Sequence, residues 1–337
     1  MKVTANMKRG GLYALIGAIS ILLPLLTGKF STHLLTTYLI YSLVALSLDV
    51  MWGYTGILSI GHFAFFGVGA YAASLILTRV PAGVPGLALA ALGGVGLATV
   101  FAFVVAMIFF TLRLGDLFVL VTISLAIVLE KIAVDQTQLL GGINGITLPY
   151  WVVPENKILF FYLMVGVVLV LYLLLRRVVD SPFGKVLAAI KDQERRAQYL
   201  GYDTRTFKAV VFAMSAGVAG LAGVLHAVYT GFVSPPLFGF SLSFDAVIWT
   251  AIGGLGTLFG PIVGTFVVGL AQFYISGLLL DYWILVIGLL FIIVVIFLPR
   301  GLTGIGMAVA GRIGLRQPVP AVSVLPLGDH SAPEPPR

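Results

Sequence analysis

The sequence predicts an all-α integral membrane protein of about 8–10 transmembrane helices, some of them broken or re-entrant. Three observations carry that prediction. Of 337 residues, 60% are apolar and only 10% are charged, whereas a soluble domain is typically about 45–50% apolar and about 25% charged. The mean hydropathy is +1.09. The apolar residues also fall in long unbroken runs, enough for about ten spans at about 20 residues each. Those runs exclude a soluble enzyme, a nucleic-acid-binding domain and a disordered chain. They also exclude an outer-membrane barrel, whose strands alternate apolar and polar residues. The formal charge of +7 fits cytoplasmic loops that collect Lys and Arg better than a nucleic-acid partner. With no cysteine in the chain, disulfides and thiolate sites are excluded. His33, His62, His226 and His330 lie too far apart in sequence for a recognisable metal spacing.

The elements follow in order. Residues 1–10 carry Lys2, Lys8 and Arg9, which predicts a cytoplasmic N-terminus. The apolar run 11–27 then resembles a signal peptide, but no small-x-small cleavage pattern follows it, so an uncleaved first helix is expected. Residues 34–51 give the second crossing. Residues 53–77 are long enough for a third, although they carry five glycines. Runs at 86–112, 117–133 and 158–175 bring the count to six.

The polar stretch 176–208 comes next, with eight basic and four acidic residues. So dense a cluster of Lys and Arg in a short loop belongs in the cytoplasm, where six crossings from a cytoplasmic N-terminus also lead. Beyond it, three crossings at 209–229, 244–270 and 282–298 would leave the tail outside, against Arg300, Arg312 and Arg316. Two passes within 244–279, broken near Gly253-Gly-Leu-Gly256, resolve the conflict and bring the total to ten. The transmembrane domain thus covers 11–298. The tail 299–337 holds seven of the sixteen prolines without apolar periodicity and is expected to be a disordered cytoplasmic segment.

Two glycine-rich segments draw attention, one holding Gly53, Thr55, Gly56, Ser59, Gly61 and His62, the other Gly253, Gly254, Gly256 and Thr257. Glycine thins or breaks a helix, and freed backbone groups at membrane depth survive only inside protein or beside a watery cavity. Interrupted segments in both halves of a transporter point to its pathway. Close helix packing through small residues explains the same glycines without any substrate, so both readings stand. No Gly-Lys-Ser/Thr follows either cluster, which excludes a phosphate-cradling loop.

Ionisable residues in the apolar runs are Asp49, Glu130, Lys131 and Asp245. Each is expensive at mid-membrane and therefore a functional candidate; each also lies near a predicted end, where an interfacial position is expected. A proton- or sodium-driven carrier would need a carboxylate clearly at mid-membrane, and none is placed there. A membrane-embedded enzyme would need facing catalytic groups, and no such constellation stands out. Energy for pumping is thus expected from a partner.

The loop 176–208 supplies a docking element for one. Ser181-Pro182 reads as a helix start and Gly201 as a stop. Between them Val186, Ile190, Ala197 and Leu200 recur near helical spacing among charges, predicting one short amphipathic helix or a pair. A solvated positive-inside loop, or a helix resting on anionic lipid, are the plainer alternatives.

Several long motifs carry a family resemblance. They are Ser181-Pro-Phe-Gly-Lys-Val-Leu-Ala-Ala-Ile-Lys-Asp-Gln-Glu-Arg-Arg-Ala-Gln-Tyr-Leu-Gly-Tyr-Asp203, Ala219-Gly-Leu-Ala-Gly223, Trp52-Gly-Tyr-Thr-Gly-Ile-Leu-Ser-Ile-Gly-His-Phe-Ala-Phe-Phe-Gly-Val-Gly-Ala-Tyr71, Gly253-Gly-Leu-Gly-Thr-Leu-Phe-Gly-Pro261 and Phe297-Leu-Pro-Arg-Gly-Leu302. Over roughly 33–302 the chain resembles the permeases of branched-chain amino-acid ABC importers, the M-type subunit more than its H-type partner. Permeases for urea and short-chain amides share these motifs and remain the alternative substrate class.

The resemblance implies an ABC importer permease fold in the plasma (inner) membrane of a prokaryote. It also implies a second homologous permease, two cytoplasmic ATP-binding subunits that hold ATP and Mg, and an extracytoplasmic substrate-binding protein. This chain itself would hold no cofactor or metal and be no enzyme. An autonomous channel or ion-coupled carrier is the alternative of a different class. The family's coupling motif reads Glu-Ala-Ala, three residues, Gly. Here Ala197 and Gly201 hold its last fixed places, Arg195 and Arg196 stand in the first two, and Glu194 sits one place early. With Gly184, these residues form the expected ATPase-coupling loop. Gly141, Gly142, Asn144 and Gly145 resemble an extracytoplasmic loop of such permeases and are the candidate contact with the binding protein.

Overall fold

A computed structural model describes residues 29–81, 83–112 and 117–278, with a few further positions between 285 and 304. The expected spans at 11–27 and 282–298 and the tail lie wholly or largely outside the described residues. Seven of the other eight expected spans coincide with an apolar helix, and the eighth, 53–77, does so only in part.

Those helices are α1 (Lys29–Thr55), α2 (Phe63–Leu77), α3 (Val84–Thr111) and α4 (Phe118–Asp135), then, after a single turn α5 (Thr137–Leu140), α6 (Lys157–Asp180). The amphipathic α7 (Pro182–Tyr199) leads into α8 (Thr204–Thr230), and α9 (Phe240–Gly253) and α10 (Phe259–Leu278) complete the described set. Five of them, α1, α3, α6, α8 and α10, are long and apolar enough to cross a bilayer. At 15 and 14 residues, α2 and α9 span only about 21–23 Å at 1.5 Å per residue, short of a core about 30 Å thick. They are the broken segments. The single crossing expected over 53–77 is corrected accordingly. Its first residues complete α1, the chain unwinds over 56–62, and only 63–77 is helical again.

Burial separates centre from rim. The apolar windows of α1 and α8 are each 78% buried, those of α3, α6 and α10 only 22–28%. A soluble protein hides the apolar face of its outer helices, but here Leu92, Leu97, Val100 and Ile108 of α3 point outward and are more than half exposed. That outer surface needs lipid as its solvent.

The inner face of α3 is built from a row at every fourth position: Gly86, Ala90, Gly94, Ala98, Ala102, Ala106 and Phe110. Small residues at that interval form a groove into which the ridge of another helix fits. The ridge belongs to α8, itself rich in Gly and Ala on its buried face. A Cβ on Gly220 would stand 2.6 Å from that of Ala98, and one on Gly94 only 2.5 Å from Val224 Cγ2. On its other flank α8 meets α2, where a Cβ on Gly223 would lie 1.9 Å from the Phe66 carbonyl oxygen. The Ala219–Gly223 motif is therefore a packing device.

The helix ends sort consistently to two sides. On one, α7 meets the C-terminal end of α1 through Lys191 and Gly53, and Lys208 of α8 lies over the Phe110 ring of α3, 5.3 Å from its centre. On the other, β1 (Ile146–Thr147) pairs antiparallel with β2 (Phe232–Val233). There Lys157 Nζ donates to the Tyr229 carbonyl at 3.0 Å, and His33 Nδ1 lies 3.1 Å from the Tyr229 hydroxyl. This is the alternation that the expected topology requires.

Candidate functional site: the glycine junction and the coupling helix

The first break begins where α1 stops. Thr55 returns its hydroxyl to the Met51 carbonyl at 2.6 Å and accepts the Ile57 N–H at 3.3 Å, satisfying backbone groups that the helix end leaves free. Where α2 restarts, the Ser243 hydroxyl of α9 accepts the Phe63 N–H at 3.1 Å, a cap supplied from another helix. Between these points lies fully buried His62, its Nε2 3.0 Å from Ser47 Oγ and 3.1 Å from Ser215 Oγ.

Both serines spend their own protons elsewhere. Ser47 donates to the Val44 carbonyl at 2.8 Å, and Ser215 donates to the Ser47 carbonyl. With both hydroxyls turned to those carbonyls, each serine accepts from the imidazole, an arrangement that favours the hydrogen on Nε2. His62 Nδ1 and Ser59 Oγ are buried with no hydrogen-bond partner among the described residues. Nitrogen-15 NMR of histidine-labelled protein is expected to show His62 as the Nε2–H tautomer, retained in Ser47→Ala because Ser215 still accepts. A proton on Nδ1 would contradict the geometry.

The second break, 254–258, is held by Asp49 of α1. Its Oδ1 accepts the Gly256 N–H at 2.6 Å and its Oδ2 accepts the Leu258 N–H at 2.9 Å. Leu258 sits at φ +57°, the only non-glycine residue with positive φ among the described residues, a conformation costing about 1–2 kcal/mol. Such a residue persists only where its surroundings over-determine it, and here a buried carboxylate does so. Thr257 closes the turn, donating to the Gly254 carbonyl at 2.7 Å and accepting the Gly260 N–H at 3.0 Å. Gly256 itself lies at φ +73°. The interfacial position expected for Asp49 is corrected: it is fully buried, because the break it caps needs an acceptor. Of the other three ionisable residues, Asp245 accepts from Gln272 at 2.9 Å, Glu130 is partly buried and Lys131 exposed.

The two glycine clusters meet here. A Cβ on Gly53 would stand 2.5 Å from Asp49 Oδ1 and 2.6 Å from Gly256 N, and the Tyr54 hydroxyl donates to the Gly256 carbonyl at 2.9 Å. So Gly53 and Gly256 share one junction, flanked by Gly254 and Thr257. Gly253 faces the first turn of α10, where a Cβ would lie 2.0 Å from the Gly260 carbonyl oxygen. Gly56 opens the unwound segment at φ +77° beside the Lys191 side chain. Ser59, Gly61 and His62 do not join them. Gly61 instead admits the α4 backbone, since a Cβ on it would lie 1.8 Å from the Thr122 carbonyl oxygen.

The third partner at the junction comes from α7. Lys191 Nζ donates to the Gly53 carbonyl at 2.6 Å. The helix kinks at Gln193 (φ −154°, ψ 93°), so the amphipathic stretch is a pair of short helices. In its first half Leu187 and Ile190 are buried, and Gly184 leaves room for the Val179 carbonyl at the turn from α6, where a Cβ would lie 1.9 Å away. Ser181 stands at the cap position in extended conformation, yet its hydroxyl donates backwards to the Val178 carbonyl at 2.6 Å and does not cap α7 as its residue type predicts.

The second half is fastened to α8. Glu194 pairs with Lys208 and accepts from the Thr204 hydroxyl at 3.0 Å. Ala197 is buried, while Arg195 and Arg196 are exposed. The helix ends in a Schellman turn: Tyr202 N–H donates to the Ala197 carbonyl at 3.2 Å and Gly201 N–H to that of Gln198 at 3.0 Å, with Gly201 at φ +91°. Beside it opens a polar cleft of about 650 Å³ lined by Glu194, Arg195, Gly201, Arg205 and Lys208 among others. At the end of the helix Tyr199 and Leu200 stand 89% and 70% exposed.

No local spacing in the sequence singles out Lys191, Tyr54 or Leu258, or pairs Ser47 and Ser215 with His62. A partial signal existed for Asp49, which lies one turn before Gly53 and so on the same helix face.

A family model described as the branched-chain amino acid transport system permease component matches residues 31–295. The chain belongs to this family. It is a multi-pass membrane protein of the ABC permease class. Among relatives, the LivM permease protein of Escherichia coli K12 is 26% identical over 83% of this chain and 71% of its own length. That of Methanocaldococcus jannaschii is 26% identical over 67% and 75%. LivH of Escherichia coli K12 is 23% identical over 78% of this chain and 91% of its own length, so the M-type likeness is the stronger one. No solved structure shows a significant match.

On the side opposite α7, Gly142–Asn144 form a 3-10 turn entered through Gly141 at φ +75° and left through Gly145. Residues Ile143, Asn144 and Tyr150 there are exposed, with Ile143 at 78% and Tyr150 at 84%. The candidate contact with a binding protein is thus an apolar-tipped loop braced by the β1–β2 pair.

Proposed function

We propose that the chain is the transmembrane permease subunit of an ATP-driven importer. It moves branched-chain or similar neutral amino acids into the cytoplasm of a prokaryote by alternating access. ATP and Mg sit on two cytoplasmic ATPase subunits, a second homologous permease completes the pathway, and an extracytoplasmic binding protein delivers substrate to the 141–145 loop. The observation that carries the reading is the two-faced α7. One face is bonded inward to Gly53 and α8, and the other presents Arg195, Arg196, Tyr199 and Leu200 to solvent. Exposed aromatic and aliphatic groups beside arginines make a protein-docking surface.

Within this reading, Ala197→Glu is expected to lower uptake more than tenfold while the chain still inserts. Ala197 is only 2% exposed, so a carboxylate there either stays buried and unpaired or lifts the second half of α7 off α8. Uptake within twofold of the wild type would refute a coupling role for this segment. The substrate class is tested by leucine uptake into vesicles holding the complex, competed with isoleucine, valine, urea and acetamide. Competition by isoleucine and valine alone supports amino-acid import. Accumulation of urea or acetamide without leucine overturns it in favour of amide transport.

A further inference from the structure

We propose that Asp49 and Lys191 form a mechanical relay that passes movement of α7 to both helix breaks at once. This rests on the reading of α7 as the surface that docks the ATPase. The junction has three bonded parts. Lys191, on α7, donates to the Gly53 carbonyl at the end of α1. One helical turn earlier on α1, Asp49 holds the Gly256 and Leu258 N–H groups of the second break. Tyr54, next to Gly53, holds the Gly256 carbonyl.

The contact between the two breaks is backbone against backbone. With Gly53 within van der Waals reach of Gly256, no side chain lies between to absorb a displacement. A shift of α7 along the membrane surface therefore pulls the end of α1, and α1 carries its carboxylate and the 254–258 turn with it. The turn is poised for this, because Leu258 holds a left-handed conformation that relaxes if Asp49 withdraws. The first break, starting at Gly56 against the Lys191 stem, moves with the same push. Coupling of this kind needs a bistable element biased from both ends, and the turn at Leu258 is that element. Asp49 and Lys191 are positioning residues in this scheme, with no contact to substrate assigned to either.

The test uses the complete complex with its ATPases, second permease and binding protein in vesicles, measuring leucine moved per ATP hydrolysed. Lys191→Met keeps the stem beside Gly56 but removes the donor, and is expected to lower that ratio at least tenfold. Lys191→Arg should restore much of it. Because Lys191 is exposed, the variant could also act by losing a direct contact with the ATPase. A double-mutant cycle with Asp49→Asn separates the two: in a relay the double variant is no worse than the poorer single, within twofold. If Asp49→Asn does not assemble, Tyr54→Phe replaces it in the cycle, since it cuts another bond of the same junction.

Multiplying losses would place Lys191 on the ATPase and overturn the relay. A ratio within twofold of wild type in Lys191→Met overturns it as well. So does a fall in complex yield at an unchanged ratio, which marks a merely structural role. Failure of the wild-type complex to couple ATP to leucine uptake would instead overturn the importer reading itself.

Discussion

Gly223→Val is expected to abolish folded protein in the membrane, whereas Gly166→Ala should leave yield unchanged or improved. A Cβ on Gly223 would lie 1.9 Å from the Phe66 carbonyl oxygen and 2.9 Å from Ala70 N. Both are backbone atoms of α2, so no rotamer change relieves the clash. The helices must part by more than 1 Å (roughly the shortfall from an ordinary carbon–oxygen contact of about 3.3 Å), and the separation spreads to Gly69 and Gly220, which meet at the same crossing. Overpacking in a core costs about 1–3 kcal/mol, occasionally more; a clash with backbone at the central crossing belongs at the upper end or beyond. Gly166, on the rim helix α6, has nothing within 4 Å of the place a Cβ would take. There alanine gains helix propensity of about 1 kcal/mol without a clash. Size-exclusion chromatography of the two detergent-extracted variants separates the outcomes, and a monodisperse Gly223→Val protein at wild-type yield would contradict the packing described.

Asp49→Ala has the next largest expected effect. It leaves the Gly256 and Leu258 N–H groups without their acceptor in a buried site. Each unsatisfied buried group costs about 1–3 kcal/mol, and the strained Leu258 loses the contact that held it. The sum, about 2–6 kcal/mol, is comparable with the marginal stability of a whole domain. Asp49→Asn keeps one acceptor oxygen and should lose less. Thermal stability in detergent checks the order: wild type above Asp49→Asn above Asp49→Ala. Equal midpoints for wild type and Asp49→Ala would mean that the turn does not depend on this carboxylate.

The fold was legible wherever a property repeats along the chain. Runs of apolar residues marked the spans, the glycines at 253–256 marked the second break, and the density of Lys and Arg over 176–208 marked the surface helix. The glycines at 53–61 pointed to the first break, yet the apolar run 53–77 still read as one crossing. What could not be read was any bond between distant residues. Asp49 meets Gly256 across 207 positions and Lys191 meets Gly53 across 138, and no local spacing encodes either pairing. The interfacial expectation for Asp49 failed for that reason. A carboxylate near a helix end reaches water by default, unless the fold brings it a pair of N–H donors. Glu194 shows the same gap: its displaced register was visible, but its engagement with Lys208 and Thr204 depended on where α8 returns. For the glycines, sequence left pathway and packing open; Gly61 and Gly223 admit neighbouring backbones, which is packing, while the shared contact of Gly53 and Gly256 ties packing to the break itself.

The division of labour between this chain and an ATPase is the central claim, and transport by defined components tests it most directly. Leucine uptake is measured in liposomes holding this chain alone, and in liposomes holding the complete complex with and without ATP. The account predicts uptake only with the complex and ATP, supplied on the α7 side. Uptake by this chain alone, without any ATPase, would contradict it and identify an autonomous carrier or channel.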